Sequence, residues 1–222
     1  ILTDRVIDRP MRPLFPKDYR NDVTLENLVM SVEQDCSPEL TAMLGASIAT
    51  SISDIPFDGP ISTTQVGLVD GEFVFNPTAA QREVSDLALT VASTKEKVIM
   101  IEAGANEVPE DKMIEAIFAA HELNQKVIAF FDTIVAECGK PKHEYQSFAV
   151  PQELFDAIQK IVTPAEMEEA VFTDDKQTRE ENIRVITDKL AEAFADNEEW
   201  LDKLGEAVYQ YQKKTVRKMI LK

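Results

Sequence analysis

Apolar positions in this chain recur with two periods, every second residue in stretches of the first half and at helical spacing elsewhere. Each change of period marks a change of element. In 1–9 the spacing predicts the end of an amphipathic helix. Leu2, Val6 and Ile7 face inward, while Arg5, Arg9 and Arg12 stand at i, i+4 and i+7 on another side. Pro10 and Pro13 close it. "DVTLENLVMSVE", 22–33, alternates and is rich in β-branched residues, which predicts a strand. "SPELTAMLGASIATSIS", 37–53, predicts a helix with Ser37 as N-cap, Pro38 at its first position and Glu39 in its first turn.

In 61–78, Asp70-Gly71 separates two alternating apolar runs, the mark of a tight hairpin. A second hairpin is predicted from "DLALTVAS" (86–93) and "KVIMIEAG" (97–104), joined by Thr94-Lys95-Glu96. A long helix then starts at Pro109 and ends before Gly139. "GKPKHEYQSFAVP", 139–151, turns polar and proline-bearing and marks a domain boundary. Beyond it every period is helical: Ile183, Ile186, Leu190 and Phe194 form one stripe, and Leu201, Leu204, Val208 and Tyr211 another. The fold class is therefore α+β, an antiparallel-sheet domain in 1–142 followed by a small all-α bundle in 143–222.

Composition narrows the classes of function. Among 222 residues, seven Gly and 11 Pro exclude a collagenous or low-complexity chain, and no apolar run approaches the roughly 20 residues of a membrane span. Two distant cysteines, Cys36 and Cys138, in no CxxC or nucleophile motif, fit a reducing, cytoplasmic setting. The net charge of −17 opposes nucleic-acid binding by the surface as a whole. Residues 1–20 nonetheless carry five cations against three carboxylates, so the other 202 residues sum to −19. Phosphate chemistry has to be focused at that basic start or supplied by another segment.

Spacing alone reveals no catalytic constellation. His121 and His143 are the only histidines, too few for a histidine-rich metal site, and P-loop, GxGxxG and GxSxG motifs are missing. "EMEEA" and "NEEW" read as solvated faces or helix starts. The arginine face has a plain reading, pairing along the helix with Asp8 four residues before Arg12. Its functional reading is a phosphate grip, because guanidinium forks one turn apart can hold successive phosphates of a strand.

"DRVIDRPMRPLFP", "LGASIATSISDIPFDGPI" and "GEFVFNPT" resemble the bacterial polynucleotide phosphorylase family over essentially the whole chain. The resemblance implies a partial ribonuclease-PH-like (ribosomal protein S5 domain 2-like) domain, the first of two in the family, followed by the family's helical domain. It implies an enzyme that degrades single-stranded RNA from the 3′ end, with inorganic phosphate as attacking group and nucleoside diphosphates as products, reversibly. The implied setting is a cytoplasmic homotrimer with Mg2+ as cofactor and RNA-degradation complex partners, and with no membrane attachment.

The family's active copy carries Asp, five residues, Asp, one residue, Lys; the matching places here hold Arg82, Ala88 and Thr90. Its serine-rich phosphate turn is replaced by "QDCSPEL", where Pro38 lacks an N–H and Asp35 and Glu39 would repel an anion. The resemblance thus implies the non-catalytic copy, with Mg2+ bound outside this segment and no catalytic residue within it. Arg5, Arg9 and Arg12 take the family's place of arginines that grip RNA phosphates beside the partner domain's active site. It also implies an internal fragment lacking the preceding strands, with an exposed strand edge and a helical bundle able to fold alone. Two other classes stay open. One is an acidic interaction module whose bundle binds a protein; the other, opposed by the −19, is an autonomous RNA-binding protein.

Overall fold

A computed structural model describes residues 2–221. Ile1, and with it the start of the expected first helix, lies outside the described residues, as does the side chain of Leu2. The chain divides into two compact units, Ile1–Gln146 and Ser147–Lys222.

In the first unit the helices are α1 (Leu2–Met11), α2 (Pro38–Ile52), α3 (Ala79–Glu83) and α4 (Glu110–Cys138), with a 3-10 turn at Arg12–Leu14. The strands are β1 (Ser62–Val69), β2 (Glu72–Phe75), β3 (Leu87–Ser93) and β4 (Val98–Ala105). They form one sheet in the order β2-β1-β3-β4, with every pair antiparallel. The β1–β2 turn needs two left-handed residues, and Asp70 (φ 51°) and Gly71 (φ 82°) supply them.

Alternation along the strands gives the sheet two packed faces. Val66, Leu87, Leu89 and Val91 meet Ala116 and Ala120 of α4. Ala92, Met100 and Ile61 meet Ile7 and Met11 of α1 and Met43 and Ala46 of α2. Two buried polar brackets fix the layers. Ser47 Oγ donates to the Ile61 carbonyl (2.7 Å) and accepts from its N–H (2.8 Å). Asn124 of α4 accepts from Thr64 Oγ1 (2.8 Å) and donates to the Val91 carbonyl (3.0 Å) and Ser93 Oγ (3.2 Å).

The strand expected at 22–33 is not formed. The segment has no regular secondary structure and joins no ladder, and Leu28, Val29, Met30 and Val32 are exposed. Local β propensity makes a strand only where a partner edge lies alongside, and among the described residues none does. The segment's end is nonetheless held: the Ala79 N–H donates to Asp35 (3.0 Å) and Arg82 donates to the Gln34 carbonyl (2.8 Å).

Residues 140–145 run beside the end of α2. Lys142 Nζ donates to the carbonyls of Thr50, Ser51 and Ser53 at 3.2, 2.9 and 2.8 Å, satisfying acceptors that a helix end leaves open. Tyr145 donates to Asp18 (3.0 Å), and Tyr19 hydrogen-bonds His143 (3.2 Å). These contacts belong to the first unit, which runs to Gln146.

The second unit holds α5 (Gln152–Ile161), α6 (Pro164–Val171), α7 (Lys176–Ala193) and α8 (Glu198–Ile220). Its core joins Leu154, Ile158, Val162 and Met167 to Leu190 of α7, to Phe194 just past its end, and to Leu204, Val208 and Tyr211 of α8. Each of α6, α7 and α8 starts on a side-chain cap, from Thr163, Asp175 and Asn197.

At the α6 cap the Glu166 carboxylate accepts from the Thr163 N–H (2.7 Å) and hydroxyl (3.0 Å), and from Lys189 (3.1 Å). The backbone bond from Thr163 leads in pulling its pKa from the usual 4.5 to about 2. A carboxyl depressed in the folded state contributes stability that is present above its unfolded value and lost as pH falls through the folded one. The second unit is therefore expected to lose thermal stability between about pH 4.5 and 2. Melting followed by circular dichroism should show a shallower acid slope in Glu166→Gln; an identical slope would exclude this cap as a source of the acid sensitivity.

Candidate functional site

The three arginines occupy one exposed flank of the first unit. Ile7 and Met11 anchor α1 in the core, which turns Arg5 and Arg9 outward, one turn apart. Pro10 lies inside the helix, and Arg12 opens the 3-10 turn beyond it.

Their surroundings differ. Arg5 has no ion pair among the described residues. Arg9 Nη1 donates to Glu102 Oε2 of β4 at 3.1 Å, both side chains about half exposed. Arg12 donates from Nε (3.1 Å) and Nη2 (2.7 and 2.8 Å) to the two oxygens of Asp8, so its fork is filled in the manner of the plain pairing reading. Counting Asp4, the flank holds three guanidinium groups and three carboxylates, and Arg5 is the cation with its fork open.

Glu102 places this flank against the sheet. It stands opposite Thr90 of β3, which in turn faces Gln65 of β1, so the three side chains share one face beside α1. Ala88 projects from the same face of β3, while Leu87, Leu89 and Val91 point to α4. Arg82 spends its guanidinium on backbone carbonyls, Pro77 (2.6 Å) and Gln34 (2.8 Å).

An alanine, a threonine and an arginine do not fit a magnesium site, because no carboxylate stands at any of the three positions. Among the described residues no group of three or more His, Cys, Asp or Glu side chains could hold a metal ion. At the start of α2, Ser37 Oγ accepts from the Leu40 N–H (3.3 Å) and donates to Glu39 (2.8 Å), so a carboxylate stands where a helix N-terminus would otherwise offer donors to an anion.

An exposed arginine–carboxylate pair is worth at most about 1 kcal/mol. A phosphate oxygen, offering a bidentate charge-assisted bond, can therefore displace Glu102 from Arg9 and bind Arg5 directly. Displacing Asp8 from Arg12 would break three hydrogen bonds. The flank offers an anion the forks of Arg5 and Arg9.

A second cationic surface, which no motif marks, is formed by Lys213, Lys214, Arg217 and Lys218 on the last turns of α8. The signal was compositional, since residues 211–222 hold five cations and no carboxylate in a bundle that is otherwise acidic.

Comparison with known proteins agrees with this architecture. Residues 59–122 match the family described as "3' exoribonuclease family, domain 2", and residues 153–222 match "Polyribonucleotide nucleotidyltransferase, RNA binding domain". Over its full length the chain is 77% identical to a polyribonucleotide nucleotidyltransferase of Lachnoclostridium phytofermentans and 51% identical to one of Ruminiclostridium cellulolyticum. It is 47% identical over 99% of its length to one of Shouchella clausii. The chain spans about a third of these relatives, 32%, 32% and 31% of their lengths.

Proposed function

Since the chain belongs to the polyribonucleotide nucleotidyltransferase family, we propose that it is the non-catalytic scaffold of a phosphorolytic 3′→5′ exoribonuclease, in which Arg5 and Arg9 grip backbone phosphates of single-stranded RNA. The observation that supports this most is the contrast on one sheet face. Arg9 reaches Glu102 of β4, which stands opposite Thr90, and Ala88 projects from the same face; these are two of the places where the family's active copy carries a carboxylate and a lysine, and Arg82 of α3 holds the third. The segment keeps a phosphate grip and lacks reacting groups.

In this reading inorganic phosphate attacks the terminal phosphodiester in a neighbouring domain, and a nucleoside diphosphate leaves. Magnesium is held there, by residues outside this segment. The arginines neutralise charge and hold the RNA in register for that attack, a contribution through positioning. Arg12 has the smallest share, because Asp8 occupies its fork. The working assembly is a cytoplasmic homotrimer.

The test is phosphate-dependent release of nucleoside diphosphates from a single-stranded oligoribonucleotide, with magnesium present. The purified 222-residue chain is expected to release none while the full-length enzyme does. Release by the chain alone would overturn the scaffold reading.

A further inference from the structure

We infer that the outer face of the last turns of α8, formed by Lys213, Lys214, Arg217 and Lys218, is a docking face for the phosphate backbone of single-stranded RNA. The inference rests on the reading above, that the chain is part of an RNA-degrading enzyme, and adds a second contact to it, in the other unit of the chain.

The four side chains are exposed and lie within an arc of about 140° on the helix. Tyr211 and Thr215, which are buried, lie just beyond the Lys218 edge of the arc. Lys213 and Arg217 stand one turn apart, as do Lys214 and Lys218. Among the described residues none of the four has an ion pair; in the rest of the bundle Lys160 and Arg179 also have none, while Lys176, Arg184, Lys189 and Lys203 each have a carboxylate partner. Lys214, Arg217, Lys218 and Leu221 line a shallow hollow of about 380 Å³.

Ordinary helix physics accounts for only part of this. Cations in the last turn complement the helix dipole, which covers Arg217 and Lys218. Lys213 and Lys214 lie a turn or more further back, where the dipole effect has faded. There they set like charges at i,i+4 against Arg217 and Lys218, an arrangement that destabilises a helix. Lys214 has a packing role, its ammonium 3.9 Å from the centre of the Phe155 ring. Lys213 has none that the structure shows. Dipole and packing account for Arg217, Lys218 and Lys214 but leave Lys213 and the like-charge spacing without a gain to the fold, which is the pattern expected of a surface whose counter-charge comes from a ligand. RNA is favoured over an acidic protein because residues 153–222 match a family described as an RNA binding domain.

The test uses the 222-residue chain and the triple variant Lys213→Gln/Arg217→Gln/Lys218→Gln, which leaves Lys214 on Phe155. Binding of a fluorescent single-stranded oligoribonucleotide is titrated over a range of potassium chloride. Each phosphate neutralised on a single strand contributes about 0.7 to the slope of log affinity against log salt, so the triple variant should lower the slope by about 2 and weaken binding at least tenfold near 0.1 M. Its melting temperature should hold or rise, because the repelling pairs are gone. Unchanged affinity and slope would overturn the inference and leave the Arg5/Arg9 reading standing. Loss in the triple variant with no loss in Arg5→Ala/Arg9→Ala would uphold this face and count against the arginines. Tighter binding of polyglutamate than of RNA through the same three residues would overturn it in favour of an acidic protein partner.

Discussion

Replacing Arg5 and Arg9 together by alanine in the full-length enzyme is expected to lower kcat/KM for single-stranded RNA by roughly 100-fold, with the oligomer intact by light scattering. Each fork that holds a phosphate contributes on the order of 1.5 kcal/mol, the lower end for a bond to a charged group, and two of them correspond to about two decades in rate. The single variants should be unequal. Arg5→Ala should cost more than Arg9→Ala, because Arg9 must first give up Glu102. Arg12→Ala should change kcat/KM by less than about threefold, since its fork is already occupied by Asp8, and loss of that exposed pair is worth a few tenths of a kcal/mol. Equal losses at all three arginines would show that charge, and not the geometry of α1, governs the contact.

Asn124→Ala is expected to destabilise the sheet-bearing unit by about 3 kcal/mol. The side chain is fully buried and joins α4 to β1 and β3 through three hydrogen bonds. Alanine would leave the Val91 carbonyl and the Thr64 and Ser93 hydroxyls without these partners and open a void, and each unsatisfied buried group costs about 1–3 kcal/mol. Asn124→Asp should be worse, since a carboxylate cannot donate to Val91 and would bury a charge. Urea unfolding followed by circular dichroism measures the loss. Trp200, the one tryptophan, lies in the helical unit and reports that unit separately. A destabilisation under 1 kcal/mol would mean that water replaces the amide.

What could be read from the sequence was what neighbouring residues decide. Asp70-Gly71 sets the β1–β2 turn by its own backbone preferences, and Ser37-Pro38 starts α2 with cap and first-turn residues side by side. The stripes of α7 and α8 obey the helical period because each faces one core. What failed depended on distance. Residues 22–33 have the composition of a strand, yet pairing is decided by an edge elsewhere. Asn124 looks in sequence like any polar residue on a helix, and only the approach of Val91 and Ser93 makes it a bracket. The five-residue α3 carries a visible signal, the Thr78/Gln81 capping box, but the hairpin reading ran through Thr78.

The candidate site divides the same way. That Arg5 and Arg9 share a face follows from their spacing, and so does the pairing of Arg12 with Asp8. The Arg9–Glu102 contact joins residues 93 positions apart and had no local trace. It determines which arginine is open and which must exchange. The cations of α8 were legible as a run without carboxylates, but they became a face only when the helix showed which sides of it are buried.

Whether Arg5 and Arg9 hold RNA phosphates is decided by the salt dependence of RNA affinity for the full-length enzyme with and without the Arg5→Ala/Arg9→Ala pair. Two lost phosphate contacts should lower the slope of log affinity against log salt by about 1.4 and weaken binding alike for every RNA sequence tried. An unchanged slope, with affinity intact, would contradict the claim and make the flank of α1 a solvated helix face.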